Sequence, residues 1–413
     1  MAKFFWGAAT SSHQVEGGNI NNWSEWEART AEKRALKHAK TPSHTFLKKW
    51  PPHILKSFPN PLRSENYLSG RACDHYNHYK EDFDIAKKLG HNAHRFSIEW
   101  SRIEPEEGKF NQKEIDHYKE VVRALRQHKL EPFITLWHWT LPSWLSKKGG
   151  VLAECAIHRF ERYAEKMVKE LGGNVRLWIT INEPDIYSLQ SYLRGKWPPE
   201  KQNIISFCRS RQRLAAIHSA AYRKIKNIQP EAQVGAALNL VFFESGGGVI
   251  NNILTFLADK FWNYWDLESI KNASDFIGLN YYFHNRIDYG INKNANKEIS
   301  DIGWEIYPEG IYRVLKNLKK YNLPVYVTES GLADARDAHR ANFIKNHLYW
   351  VKRAVNEGVD VRGYFYWSLL DNFEWDKGFW PRFGLVEVDY KTMARKIRPS
   401  ALEYKKIIDQ WEY

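Results

Sequence analysis

Short runs dense in β-branched and aromatic residues recur along the whole chain, and between them lie longer stretches whose apolar residues return every three or four positions. The short runs are FFWGAAT (4–10), AHRFSIEW (93–100), PFITLWHW (132–139), LWITINEP (177–184), QVGAALNL (233–240), DFIGLNYY (275–282), PVYVTES (324–330) and VRGYFYWSLL (361–370). The longer stretches include KEIDHYKEVVRALRQHK (113–129), IHRFERYAEKMVKEL (157–171), ISFCRSRQRLAAIHSAAYRKIKN (205–227) and RANFIKNHLYWVKRAVNEG (340–358). Eight strand-like runs alternating with amphipathic helices predict a parallel α/β sheet closed into a single (β/α)8 barrel. No linker rich in Pro, Gly or Ser interrupts the rhythm, so residues 1–413 read as one domain. Residues 29–70 and the run Gly246, Gly247, Gly248 read as loops. The glycine run lacks the Lys and Ser/Thr ending of a phosphate-cradling loop, which excludes nucleotide binding there.

Composition narrows the function. The 18 Trp, 22 Tyr and 21 Phe can fill a large core and leave rings to stack on sugars. The net charge of +13 arises from 61 basic residues interleaved with 48 acidic ones, as in KEDFDIAKKLG (80–90), the pattern of solvated helix faces. Only the segment from Arg29 to Lys56 is locally basic, so no nucleic-acid partner is expected. The apolar runs are too short to span a bilayer, and the first residues lack the layout of a secretory signal; no membrane partner is expected. Cys73, Cys155 and Cys208 are odd in number and far apart, which fits a reducing cytoplasm. His75 and His78 have no third ligand at suitable spacing, so neither a metal nor a cofactor is expected. The sequons at Asn22 and Asn272 carry no meaning without export.

In such a barrel the active site is built at the C-terminal ends of the strands. Polar residues gather there: Arg95, His138, Asn182, Glu183, Asn280, Tyr282 and Glu329, with Trp367 and Glu374 at and beyond the eighth strand. Retaining hydrolysis of a glycosidic bond needs two carboxyl groups about 5 to 5.5 Å apart, one attacking the anomeric carbon and one protonating the leaving oxygen. Glu183 and Glu329 end the fourth and seventh strands, across the barrel mouth from one another.

The motifs around them are specific. TINEP (180–184), YVTESG (326–331), WGAATSSHQVEG (6–17), RFSIEWSRI (95–103), LWHWTLP (136–142), NYY (280–282) and YWSLLDNFEWDKGFWPRFGLVEVDY (366–390) come from separate parts of the chain. Together they resemble glycoside hydrolase family 1, the β-glucosidase and β-galactosidase family, from end to end. The resemblance implies Glu183 as acid/base, Glu329 as nucleophile, and Arg95 and Tyr282 as the groups that keep Glu329 ionised and oriented. It further implies sugar contacts from Gln14, His138, Asn182, Asn280, Trp367, Glu374 and Trp375, with Trp304 in GWEIYPEG (303–310) as the aglycone platform.

The implied activity is double-displacement hydrolysis of terminal β-linked sugars from small glycosides or short oligosaccharides. β-Glucosides lead, with β-galactosides and β-fucosides as side substrates. Members that take 6-phosphosugars carry Ser, Lys and Tyr where this chain has Glu374, Pro381 and Phe383, so a neutral sugar is expected. A barrel that only binds carbohydrate, or one that mainly transglycosylates, are the alternatives. Two departures stand out. Ser330 replaces the Asn that usually follows the nucleophile, and the stretch 241–274 is shorter than in most members, predicting a more open barrel side or an extra apolar cavity.

Overall fold

The computed structural model describes residues 4–40 and 49–411. Eight parallel strands close on themselves in sequence order: β1 (Phe5–Ala9), β2 (Ala93–Ser97), β3 (Glu131–Trp137), β4 (Leu177–Asn182), β5 (Gln233–Asn239), β6 (Phe276–Asn280), β7 (Val325–Ser330) and β8 (Val361–Trp367). β8 pairs with β1, Gly363 opposite Phe5, so no barrel edge is left unpaired. Each strand falls inside one of the eight apolar runs, except that β3 starts one residue early, at Glu131. The four amphipathic stretches form the helices Gln112–Gln127, Ala156–Leu171, Ile204–Ile228 and Arg340–Asn356.

The interior is filled rather than hollow. Phe5, Phe133, Phe276, Tyr326 and Phe365 meet as an aromatic plug, Phe133 lying 4.6 Å from Phe365 and 5.3 Å from Tyr326 between ring centroids. A second, larger cluster lies between the strands and the helices. The plug closes the lower barrel and forces any ligand to the C-terminal mouth.

Two loop expectations are corrected. Residues 29–40 continue a helix, Asn22–Lys40, whose buried Trp23, Trp26, Glu27, Thr30, Ala31, Arg34, Ala35 and His38 recur at helical spacing. Its basic residues sit mainly on the outer face, and that charge masked the period. Arg34 turns inward, over the rings of Trp26 and Tyr67, donating to the Tyr67 carbonyl. Short helical turns follow at Pro52–Lys56 and Ser64–Tyr67; residues 41–48 of the expected loop lie outside the described residues.

The expected opening between β5 and β6 is filled by a strand, Phe242–Ser245, paired in parallel with His284–Ile287, and by a helix, Gly248–Asp259. Of the glycine run, Gly248 starts that helix, because its apolar sequence continues at helical period. Among the described residues no helix is long and apolar enough to cross a membrane, and no group of three or more His, Cys, Asp or Glu could hold a metal ion. His75 and His78 pair instead with Asp82 and Glu81.

Candidate active site

Side chains alternate between the two faces of a strand, so a residue at a strand end meets the barrel mouth only if the phase is right. On β7, Tyr326 faces the interior, Val327 packs toward the helices and the Thr328 hydroxyl donates inward to Asn280 Oδ1. Strict alternation would then turn Glu329 outward. The register shifts between Leu279 and Asn280 on one side of β7 and between Tyr364 and Tyr366 on the other, and this bulge re-aims Glu329 into the mouth. On β4, Ile179 faces inward and Thr180 bonds His218 of the helix Ile204–Ile228; a shift between Ile179 and Asn182 turns Asn182 inward. Glu183 follows in the left-handed region, φ 44°, with Pro184 opening the next helix. Such a backbone is strained for a non-glycine residue, and here it fixes the carboxyl over the mouth.

Both carboxyls line one cavity of about 500 Å³, together with His138, Trp139, Tyr282, Trp304, Trp367, Glu374 and Trp375. Behind this wall Arg95, Asn182 and Asn280 are wholly buried. Arg95 donates to Glu329 Oε1 at 2.6 Å and to Asn182 Oδ1 at 2.6 Å, while the Tyr282 hydroxyl donates to Glu329 Oε2 at 2.6 Å. Glu183 Oε1 accepts from Asn280 Nδ2 at 2.7 Å and from Asn239 Nδ2 at 3.4 Å. Glu329 thus has a cation and a phenol, whereas Glu183 has neutral amides.

Burial raises both carboxyls, and the balance separates them. Glu183 is pushed well above the usual range by desolvation, then by the neighbouring Glu329 and Asp185. Desolvation also raises Glu329, but Arg95 and Tyr282 pull against it. A single proton shared by the pair therefore resides on Glu183.

The remaining expected residues cluster on the same side. Gln14 Nε2 donates to the Phe373 carbonyl and to Glu374 Oε2, which also accepts from Asn372. Desolvation lifts Glu374 to about 7 against the nearby Lys377. His138 stacks between Trp367 and Trp375 and is kept neutral by burial and by Arg95. Asn182 Oδ1 is occupied by Arg95 and Asn280, so its Nδ2 donates to His138 Nε2 and the imidazole proton resides on Nδ1. Nδ1 has no partner among the described residues. Trp304 lies beside Tyr282 and Phe283 on another wall. Ser330, next after Glu329, points to the far face of β7, so its replacement of Asn does not touch the cavity.

Sequence reasoning missed Asn239 and Trp139, although both end strand-like runs at the mouth. Asn239 closes β5; Trp139, at φ 74°, donates its indole N–H to the Asn182 carbonyl. The apolar cavity that the short stretch 241–274 offered as the alternative to an open side takes the form of an apolar flank, to which Val241, Phe243, Ala258, Phe261 and Trp262 contribute from that stretch and Ile291 from beyond it.

Known proteins agree with this construction. A family model described as glycosyl hydrolase family 1 matches residues 1–245 and 260–412. A 1,4-beta-D-glucan glucohydrolase of Thermotoga neapolitana is 33% identical over 98% of this chain and 97% of its own length. Beta-glucosidase A of Thermotoga maritima is also 33% identical, over 98% and 96%. A beta-glycosidase from Pyrococcus horikoshii superposes with a TM-score of 0.85 at 34% identity, covering 98% of this chain and 93% of that one. With a matching family model on both sides of a single gap, and relatives aligned over nearly their full length, the chain belongs to glycosyl hydrolase family 1.

Proposed function

We propose that the protein is a retaining β-glycosidase for terminal, unphosphorylated sugars, with β-glucosides as main substrates and β-galactosides and β-fucosides as secondary ones. The observation that carries this reading is the pair of buried carboxyls on one cavity in opposite settings, Glu329 against Arg95 and Tyr282, Glu183 against amides. Glu329 attacks the anomeric carbon as the bond to the aglycone oxygen breaks, and Glu183 delivers its proton to that oxygen. The covalent ester removes the charge on Glu329 that had raised the Glu183 pKa. Glu183 then takes a proton from water, whose oxygen displaces Glu329.

The surroundings support sugar recognition. His138 Nδ1–H is a buried donor without a partner among the described residues, Glu374 an acceptor held by Gln14 and Asn372, and Trp367 and Trp375 offer faces for the pyranose. Asn182 has one amide hydrogen left for a sugar hydroxyl, and Trp304 stands toward the aglycone. Glu374, beside the sugar, disfavours a phosphate wherever it is ionised.

The test is a panel of nitrophenyl glycosides on the wild type and on Glu183→Ala, with and without azide. Azide should restore turnover in the variant and yield the β-glycosyl azide. Failure of the wild type on every β-glycoside, or an α-azide product, rejects the reading.

A further inference from the structure

The gap in the family match, residues 246–259, coincides with the helix Gly248–Asp259. This helix is unusual for a surface element. Only Asn251 is buried, while Val249, Ile250, Ile253, Phe256 and Leu257 are each more than half exposed. Apolar surface gathered on one element marks a place where something apolar binds.

Its position says what. Leu254, Leu257, Ala258 and Phe261 stand at i, i+3, i+4 and i+7, a single stripe of the helix and its continuation. Ala258 and Phe261 line the cavity that holds Glu183 and Glu329, so the stripe carries the cavity wall outward onto the exposed helix. Phe243, Phe283 and Ile291 line the cavity as well. The asparagines on that flank bond within their own loop: Asn285 donates to Asn292, Asn294 holds the Arg286 amide and the His284 carbonyl, and Asn296 donates to the Asn294 carbonyl. The helix stripe itself offers a second sugar no hydrogen bond.

We propose that this flank binds the apolar tail of the substrate, so that the preferred substrates are β-glycosides of long-chain alcohols rather than oligosaccharides. The proposal rests on the glycosidase reading above, with the sugar over Glu183 and Glu329 and the alkyl chain leaving along Phe261, Ala258, Leu257 and Leu254.

The experiment measures kcat/KM for methyl, butyl, hexyl and octyl β-glycosides below their micelle concentrations, against cellobiose, with the sugar that the nitrophenyl panel favours. Each methylene leaving water should raise kcat/KM by about threefold, and octyl should exceed methyl by at least ~100-fold. The double variant Leu254→Ser/Leu257→Ser, at exposed positions, should flatten the slope while retaining turnover of the methyl glycoside. A flat series in the wild type, a preference for cellobiose, or an equal loss on methyl and octyl substrates in the variant overturns the proposal. So does a flat series accompanied by binding to phosphatidylcholine vesicles or by self-association, which would give the helix a different occupant. Calorimetry with the octyl and methyl thioglycosides, which need no turnover, separates the two readings. Tighter octyl binding without hydrolysis of any glycoside rejects the glycosidase and keeps the apolar site; equal binding with good hydrolysis does the reverse.

Discussion

The difference between Glu183 and Glu329 comes from which donors each carboxyl meets, and single atoms test it. The Tyr282 hydroxyl is one of two strong donors to Glu329 and opposes its desolvation. Removing it in Tyr282→Phe leaves the carboxylate less stabilised, so its pKa rises. The acidic limb of kcat/KM, which the proposed mechanism assigns to ionisation of Glu329, should move to higher pH, and kcat should fall roughly 10- to 100-fold, the worth of a charge-assisted hydrogen bond. An unmoved acidic limb would assign Tyr282 to packing alone. Glu374 tests a different balance. Its folded pKa of about 7 lies above the ordinary value of 4.5, so the stability tied to its neutral form is fully present below about 4.5 and lost as pH rises through 7. Because the residue keeps some solvent contact, the cost at pH 8 is about 1 to 2 kcal/mol rather than the full shift. Glu374→Gln keeps the acceptor for Gln14 and Asn372 without the charge. It should gain stability over the wild type between pH 5 and pH 8 in denaturant titrations, while its KM rises; a stability difference that does not change with pH would show that the carboxyl is not desolvated.

At the scale of elements, the site depends on how closely β7 and β8 approach beyond the bulge. A Cβ on Gly331 would lie 1.8 Å from the Trp367 carbonyl oxygen, a backbone atom that cannot swing aside. Gly331→Ala must therefore part the strands that carry Glu329 and Trp367. It should cost about 1 to 3 kcal/mol in urea unfolding and at least tenfold in kcat/KM; wild-type activity would mean the strands separate without disturbing either side chain. The strands were legible because dense β-branched and aromatic runs bounded by amphipathic stretches have few other solutions. Glu183, Glu329 and their partners were legible because strand ends and motif residues coincide. The bulges on β4 and β7 were not, since a shift of one residue is set by neighbouring strands and leaves no local pattern. The helix Asn22–Lys40 was hidden by reading Lys and Arg as loop signals when they formed the outer face of a 3.6-residue period. Asn239 ends its strand as the chosen residues do, but no motif drew attention to it.

Across the whole molecule, cohesion is uneven, and the unevenness follows the reaction. The groups proposed to hold the sugar come from β2 through β8 and from segments flanking β1 and β8, Gln14 to Trp375, all tied to the aromatic plug and the closed ladder. Opening any one strand exposes interior rings, so the amides of β3 to β6 should exchange only through global unfolding. The helix Gly248–Asp259 has no such anchor, because one asparagine is its sole buried side chain. Its amides should exchange by local opening, on the order of a thousandfold faster than those of the barrel strands. An octyl thioglycoside lying along Leu254 and Leu257 would shield apolar surface there, so protection should increase in residues 248–259 with the octyl compound and much less with the methyl one. Hydrogen exchange read by mass spectrometry resolves this. Protection of the helix equal to that of the strands before any ligand is added would contradict this division between a rigid sugar site and a loosely held apolar rim.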